Sequence, residues 1–338
     1  MPQKTATVTG ATGYVAAELI RHLLGRGYAV KATARCDPSD ARLAPLQRLA
    51  DGAPGSLELI QVASLLARSP ELDAALAGSE YVFHVASPFR FDGDPQKDII
   101  EPAVEGTRVV LEAAAAASPR PARVVVTSSV CAIHDQHQRH PPAAGPGRKY
   151  SEADWNAFST PDTEPYWVSK IEAERLAWRL GAELGLTVIT VLPNFVLGPV
   201  VGPGAGGVSV GFMKDFLEAP DGKVPEGAWT VCDVRDVAAA HVAAAESPDA
   251  EGRYIVSQAG SFDARFVTDT LKASLPGAAG GLPDGARSET KETIDATKVQ
   301  GQLGVELHPV AATLLDMARS LLEHGVAAPA WHKGGAAA

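Results

Sequence analysis

The sequence predicts an α/β fold: a doubly wound parallel sheet followed by a smaller, mostly helical C-terminal lobe. Three observations carry this. Short β-branched runs alternate with helix-patterned segments through the first two thirds of the chain. Most of those runs are apolar throughout, as strands covered on both faces must be. A glycine-rich turn joins the first run to the first helical segment. Strand alternating with helix implies right-handed crossovers and hence parallel pairing.

The elements follow in order. "TATVTG", "AVKATA", "LELIQV", "YVFHVA", "ARVVVTSS" and "LTVITVLP" are the strands. Helices are expected at Tyr14 to Leu24, Ala41 to Leu49, Glu71 to Ala77, Ile99 to Ala117 and about residues 164 to 184. Alanine has the best helix propensity, so "EAAAAAS" is helix. "LPNFVLGPVVGPGAGGVSVG" is rich in Gly and Pro and reads as an extended loop. "VCDVRDVAAAHVAAAES" reads as helix and "GRYIVS" as a strand, and helices fill the end of the chain around a "GAAGGLPDG" linker. The expected division is a nucleotide-binding domain over 1–192, rejoined by about 231–257, a substrate lobe from 193–230 and 258–330, and a frayed tail over 331–338.

Composition narrows the function classes. With 338 residues, 46% hydrophobic and 21% charged, the chain has a globular protein's core. No apolar run approaches the ~18 residues of a membrane span. "MPQKTATVTG" enters a strand at once and carries no secretory signal, which reads as cytoplasmic. Cys36, Cys131 and Cys232 have no metal-ligand spacing and read as reduced structural thiols. A net charge of −10 argues against nucleic acid and anionic membrane as partners. The partner expected is a small molecule, bound by a monomer or homodimer.

"VTGATGYVAAELI" places Gly10 and Gly13 between the first strand and the first helix. Glycines there let backbone amides at a helix N-terminus approach a pyrophosphate. The second strand ends in "KATARCDPSD". An acidic residue at that position would bind the ribose 2′-hydroxyl of NAD, whereas an arginine suits the 2′-phosphate of NADP. Arg35 sits at the strand end and Arg42 is expected to open the next helix, so NADPH is the expected cofactor.

Within "EPYWVSK", Tyr166 and Lys170 stand four residues apart, one turn apart on one helix face. A neighbouring ammonium favours the phenolate, so the lysine is expected to lower the tyrosine pKa towards neutrality. That would fit Tyr166 to act as a proton donor.

The glycine loop, "HVASPF", "VVVTSSV", Tyr166 with Lys170, "VLPNFVLGP" and "DVRDVAAAH", in this order, resemble the extended short-chain dehydrogenases/reductases. Within them the chain is most similar to the dihydroflavonol reductase and cinnamoyl-CoA reductase branch, closest to fungal aldehyde/ketone reductases of the methylglyoxal type. The resemblance implies a Rossmann-type fold and reduction of aldehydes and ketones, reversible at high pH. It also implies roles: Ser129 hydrogen-bonds the substrate carbonyl, Tyr166 protonates it, and Lys170 binds the nicotinamide ribose. By the same resemblance Thr12, Tyr14, Val15, Ser64, Leu65, Val85, Ala86, Ser87, Thr127, Pro193, Val196 and Ser209 border the cofactor. Phe89, Phe91, Ile133, His134 and Phe195 line an apolar substrate pocket. The chain departs from the branch at Glu105 and Ser64, and at His134 and "EPYWVSK", which argue against both plant substrates.

Other constellations compete. "GVSVG" fits the G-x-S-x-G of serine hydrolases, with His241 and Asp233 or Asp236 as partners on paper, but no strand precedes Ser209. "HDQHQRH" spaces His134, His137 and His140 for a metal, yet Pro141 and Pro142 mark a solvated loop, so no metal is expected. Nucleotide-sugar epimerase or dehydratase chemistry and a non-catalytic dinucleotide sensor remain as alternatives.

Overall fold

Residues 3–87 and 93–332 are described by the computed structural model. Strand β1 (Thr5–Thr9) feeds helix α1 (Tyr14–Gly25), whose Ala16, Leu19, Ile20, Leu23 and Leu24 form one buried stripe at helical spacing. Burying a side chain of the Leu or Ile kind contributes about 1.5–3 kcal/mol as an upper bound, so this stripe fixes α1 against the sheet. β2 (Ala29–Ala34), α2 (Ala44–Asp51), β3 (Ser56–Gln61), α3 (Pro70–Leu76) and β4 (Tyr81–His84) continue the alternation. A π-turn over Pro95–Ile100 leads into α4 (Glu101–Ala116), followed by β5 (Arg123–Thr127), α5 (Pro165–Leu184) and β6 (Val188–Pro193).

Among the described residues seven strands form one parallel sheet in the order β10-β6-β5-β4-β1-β2-β3, with β10 spanning Gly252–Val256. Strand order reverses between β1 and β4, which makes the crevice above their C-terminal ends the place for a ligand. One face of the sheet is covered by α1 packed on α7 (Val234–Glu246), the other by α4 packed on α5. β10 joins only after the chain has left the sheet and returned, pairing Gly252 with Ile189 through Val256 with Pro193.

The excursion has its own core. β7 (Phe195–Leu197) pairs with β9 (Val231–Asp233), and β8 (Ala228–Trp229) with β11 (Phe262–Asp263). Helix α6 (Val208–Glu218) packs with α8 (Ala264–Ser274) and α11 (Val310–Glu323) around Met213, Phe216, Leu271, Leu314 and Met317. The short α9 (Ala278–Gly281) and α10 (Thr297–Leu303) complete the order.

Three expectations need correction. Residues 192–211 are not one extended loop: they hold β7 and the first turn of α6, because Phe195 and Leu197 bury against the lobe core. "VCDVRDVAAAHVAAAES" begins as strand β9, and its helix starts at Val234, where the Asp233 side chain accepts the Arg235 N–H as an N-cap. The tail is anchored at Trp331, whose indole N–H donates to Leu217 O at 2.9 Å; residues 333–338 lie outside the described residues.

Candidate active site

The glycine loop closes the gap between β1 and β4. Gly10 has φ +80, and a Cβ built there would lie 3.0 Å from Ala86 Cβ. The Gly10 and Ala11 N–H groups both donate to Thr33 O, folding the loop back over β2. Thr12 and Gly13 are exposed, and Gly13 caps α1 without a side chain, so the first amides of the helix face outward. That open, positively polarised helix end is a cradle that fits a pyrophosphate. A substitution tests the need for glycine here: Gly10→Ala should lose about 1–2 kcal/mol through the left-handed backbone alone. Urea unfolding reads that loss, and an unchanged midpoint would refute it.

Thr9 Oγ1 accepts from the Val85 and Ala86 N–H groups, at 3.1 Å each, and so its proton points to His84 Nδ1, also at 3.1 Å. Burial pushes His84 down to about 3, which keeps it neutral. The ends of β1 and β4 are thereby tied, and Ser87 follows half-buried, lining a small cavity together with Lys170.

Past β2, Arg35 is exposed and its guanidinium has no hydrogen-bond or ion-pair partner among the described residues. Asp37 is occupied: its carboxylate accepts both the N–H and the hydroxyl of Ser39. Arg42 lies in the turn before α2 rather than opening it, since the helix starts at Ala44, and it clamps Asp40 at 2.9 and 2.8 Å. Ser64 is exposed beyond β3 and accepts the Leu66 N–H, while Leu65 packs beside Gly106.

Ser129 lies two residues beyond β5 and caps a single 3-10 turn, Val130–Ala132: its Oγ accepts the Cys131 N–H at 3.2 Å and donates to Pro193 O at 3.4 Å. That turn packs on α5, where Cys131 meets Tyr166 together with Ile99 and Trp167. Lys170 Nζ sits 5.6 Å from the centre of the Tyr166 ring. Serine, tyrosine and lysine therefore converge at the C-terminal ends of β5 and β6, across from the glycine loop.

The electrostatics differ from the sequence expectation. Burial raises the Tyr166 phenol well above its ordinary value, with Cys131 adding to the rise. Burial lowers the Lys170 ammonium to about 8, against raising contributions from Cys131 and Glu174. Desolvation dominates both shifts, because both side chains are buried, Tyr166 against Ile99, Cys131 and Trp167. Tyr166 is thus held as the protonated phenol, the form a proton donor requires.

Several other expected site residues are engaged elsewhere. Tyr14 is half-buried and its hydroxyl donates to Gly198 O at 2.5 Å. Thr127 donates its hydroxyl to His241 Nε2 at 2.7 Å, and His241 donates its Nδ1–H to Val237 O. Val15 is half-buried against the core of the sheet, and Pro193 closes β6. Val196 pairs with Cys232. Ser209 is buried in the first turn of α6. Ile133 belongs to a core with Tyr150, Leu192, Ile255 and Ile294 and is 2% exposed, so it offers almost no surface to a substrate. Phe195 meets Phe212 edge-on at 5.1 Å. Phe89 and Phe91 lie outside the described residues.

His134 is half-buried against Tyr150, and its Nε2 is enclosed with no hydrogen-bond partner among the described residues. Beyond it lies an open polar cleft of about 310 Å³, between Gln136, His137 and Gln138 on one side and Thr230, Ser261, Lys291 and Thr293 on the other. The hydrolase triad is not assembled. Asp233 is bound by Arg235 and Thr313, Asp236 by His308, and His241 by Val237 and Thr127.

Comparison with known proteins decides the family. The family model described as "NAD dependent epimerase/dehydratase family" matches residues 6–259. The chain belongs to that family. It is the extended short-chain dehydrogenase/reductase group to which the motifs pointed. Cinnamoyl-CoA reductase 1 of Arabidopsis thaliana is 33% identical over 330 residues, covering 96% of this chain and 91% of the relative. A (2S)-flavan-3-ol-forming anthocyanidin reductase of Vitis vinifera is 34% identical over 270 residues, 75% of this chain and 76% of its own. Among solved structures, the NADPH complex of yeast methylglyoxal/isovaleraldehyde reductase superposes with TM-score 0.81 at 26% identity, covering 95% of this chain and 99% of that one. Among the described residues no helix is long and apolar enough to cross a membrane.

Proposed function

We propose that this chain is an NADPH-dependent carbonyl reductase that converts aldehydes and ketones to alcohols through Ser129, Tyr166 and Lys170. The observation that carries the reading is the convergence of these three residues opposite an open glycine loop. The relatives named as reductases, and a structural neighbour solved with NADPH, support it.

NADPH, when bound, supplies the hydride. The remaining work falls to the chain. Gly10, Gly13 and the first amides of α1 hold the pyrophosphate, and Lys170 holds the nicotinamide ribose. Ser129 Oγ donates to the substrate carbonyl, and Tyr166 delivers its proton to the same oxygen as negative charge develops there. An alkoxide is a far stronger base than an ordinary phenolate, so the oxygen that gains charge draws the Tyr166 proton as the hydride arrives. The raised value also keeps the donor loaded between turnovers. The substrate enters between the sheet (residues 1–192 with about 231–257) and the lobe (193–230 and 258–330). Phe195 meets its apolar end and His134 its polar atoms.

The test is NADPH oxidation against a panel of aldehydes and ketones, with chiral analysis of the alcohols. If no carbonyl compound accelerates NADPH consumption, the proposal fails. A nucleotide sugar converted without net consumption would assign epimerase chemistry instead.

Coenzyme choice gives a second test. Arg35, at the end of β2, has no ion-pair partner among the described residues, and the Asp37 carboxylate is already engaged by Ser39. A guanidinium binds a phosphate through two charge-assisted hydrogen bonds and gains little from a bare hydroxyl, so preference for NADPH over NADH should be on the order of tenfold to a hundredfold. Arg35→Ala should raise KM for NADPH and leave KM for NADH unchanged. Equal use of both coenzymes by the wild type would place Asp37, not Arg35, at the ribose.

A further inference from the structure

The most heavily bonded charged group described in the protein lies just beneath the candidate site. Glu174 on α5, one turn beyond Lys170, is 1% exposed. Its carboxylate accepts from three neighbouring strands in a row. Ser128 Oγ, at the end of β5, donates at 2.7 Å; Thr190 Oγ1, on β6, at 2.8 Å; and Arg253, on β10, through Nε at 2.8 Å and Nη2 at 3.1 Å. Arg253 is itself 7% exposed, stacks on Trp155 at 3.9 Å and donates to Glu152 O and Asp154 O at 3.0 and 2.5 Å. The Trp178 indole N–H adds a longer bond at 3.4 Å, so both carboxylate oxygens accept charge-assisted hydrogen bonds.

We propose that Glu174, oriented by Arg253, is a positioning residue of the reductase: it locks the Ser128–Ser129 strand end to the helix that carries Tyr166 and Lys170. This rests on the function proposed above. Ser128 is the lever. Its backbone N–H is held by Val191 O and its side chain by Glu174, so the residue before Ser129 is fixed from both the strand and the helix side. Glu174 and Ser128 also line, with Lys170, His84 and Thr107, a cavity of about 10 Å³. Besides Glu174, the titratable groups facing Lys170 are Tyr166 on its own helix, Cys131 on the 3-10 turn and His84 on β4. Of the two that raise Lys170 against burial, Cys131 and Glu174, only Glu174 is a carboxylate.

The tests follow from the two halves of the role. Glu174→Gln keeps the shape, removes the charge and disrupts the pattern of donors. Ser128→Ala removes one hydroxyl and leaves the ion pair intact, so it carries the test should Glu174→Gln not fold. In both, kcat should fall roughly tenfold to a hundredfold with KM for NADPH unchanged, the size expected when a reacting group moves by a fraction of an ångström to an ångström. Glu174→Gln should also bring the alkaline limb of the kcat profile to lower pH, because the folded-state ammonium of Lys170 loses a supporting charge and deprotonates earlier. A lowered melting temperature with kcat per folded site and the pH limb unchanged would overturn the proposal and leave a purely structural pair. Amide hydrogen exchange over residues 126–131, measured without substrate, separates this idea from the reductase assignment. Faster exchange in Ser128→Ala supports the positioning role even if no carbonyl is reduced, and unchanged exchange overturns it.

Discussion

Tyr166→Phe is expected to lower turnover by roughly 10²–10⁴-fold, the usual contribution of a positioned general acid. The substitution deletes one oxygen and keeps the ring, so the packing of residue 166 against Ile99, Cys131 and Trp167 survives. NADPH affinity should therefore stay within about twofold, read by fluorescence titration. The separation matters: a loss of binding together with rate would mean that the hydroxyl serves the cofactor and not the carbonyl. Turnover equal to wild type would remove Tyr166 from the mechanism. Because burial holds the phenol protonated, no loss of the donor is expected on the acid side of neutrality. The alkaline side is set instead by Lys170, which loses its charge as pH rises through about 8.

The largest effect on stability is expected at Arg253. Arg253→Ala leaves Glu174 as a charge 1% exposed with its strongest partner gone. Breaking a buried pair from one side costs about 3–5 kcal/mol, since the remaining carboxylate loses its hydrogen-bonded cation and keeps only the more distant Lys170 charge. Urea unfolding should show a correspondingly lower midpoint at neutral pH. Replacing both partners together, Glu174→Met with Arg253→Met, should recover a large part of that loss, because two apolar side chains need no compensation. A single variant as stable as wild type would show that the network is not under the strain of desolvation described here.

Much of this was legible in the sequence, and the parts that were not share a cause. Gly10 announces itself because a left-handed backbone and a close approach to Ala86 leave few other residues possible, and Gly13 because a Cβ there would crowd Gly10 O at 3.1 Å. The helix carrying Tyr166 and Lys170 is encoded by local periodicity, as are the apolar strands. Glu174 with Arg253 was invisible, because its members lie 79 residues apart and each looks like an ordinary surface charge on its own element. Ile133 was misplaced for the same reason: Tyr150, Ile255 and Ile294, which bury it, come from distant parts of the chain. The Tyr166 shift ran opposite to expectation since spacing reports the neighbouring ammonium but not the depth of burial around both groups. Within residues 192–211, glycine and proline hid β7 and the start of α6, whose stability comes from the lobe core rather than from propensity.

The late return of β10 to the sheet has a consequence for biosynthesis. While a ribosome is still making the lobe, β6 is a sheet edge with unpaired backbone groups, a surface that invites pairing with other chains. Over the same interval Glu174 has Ser128 and Thr190 beside it but lacks its hydrogen-bonded cation, so burying it is less favourable until Arg253 has emerged. The nascent N-terminal part therefore has reason to stay loosely closed around α5. Helix α5 settles only when residues 252–256 dock, so the sheet closes around it only after about three quarters of the chain has been made.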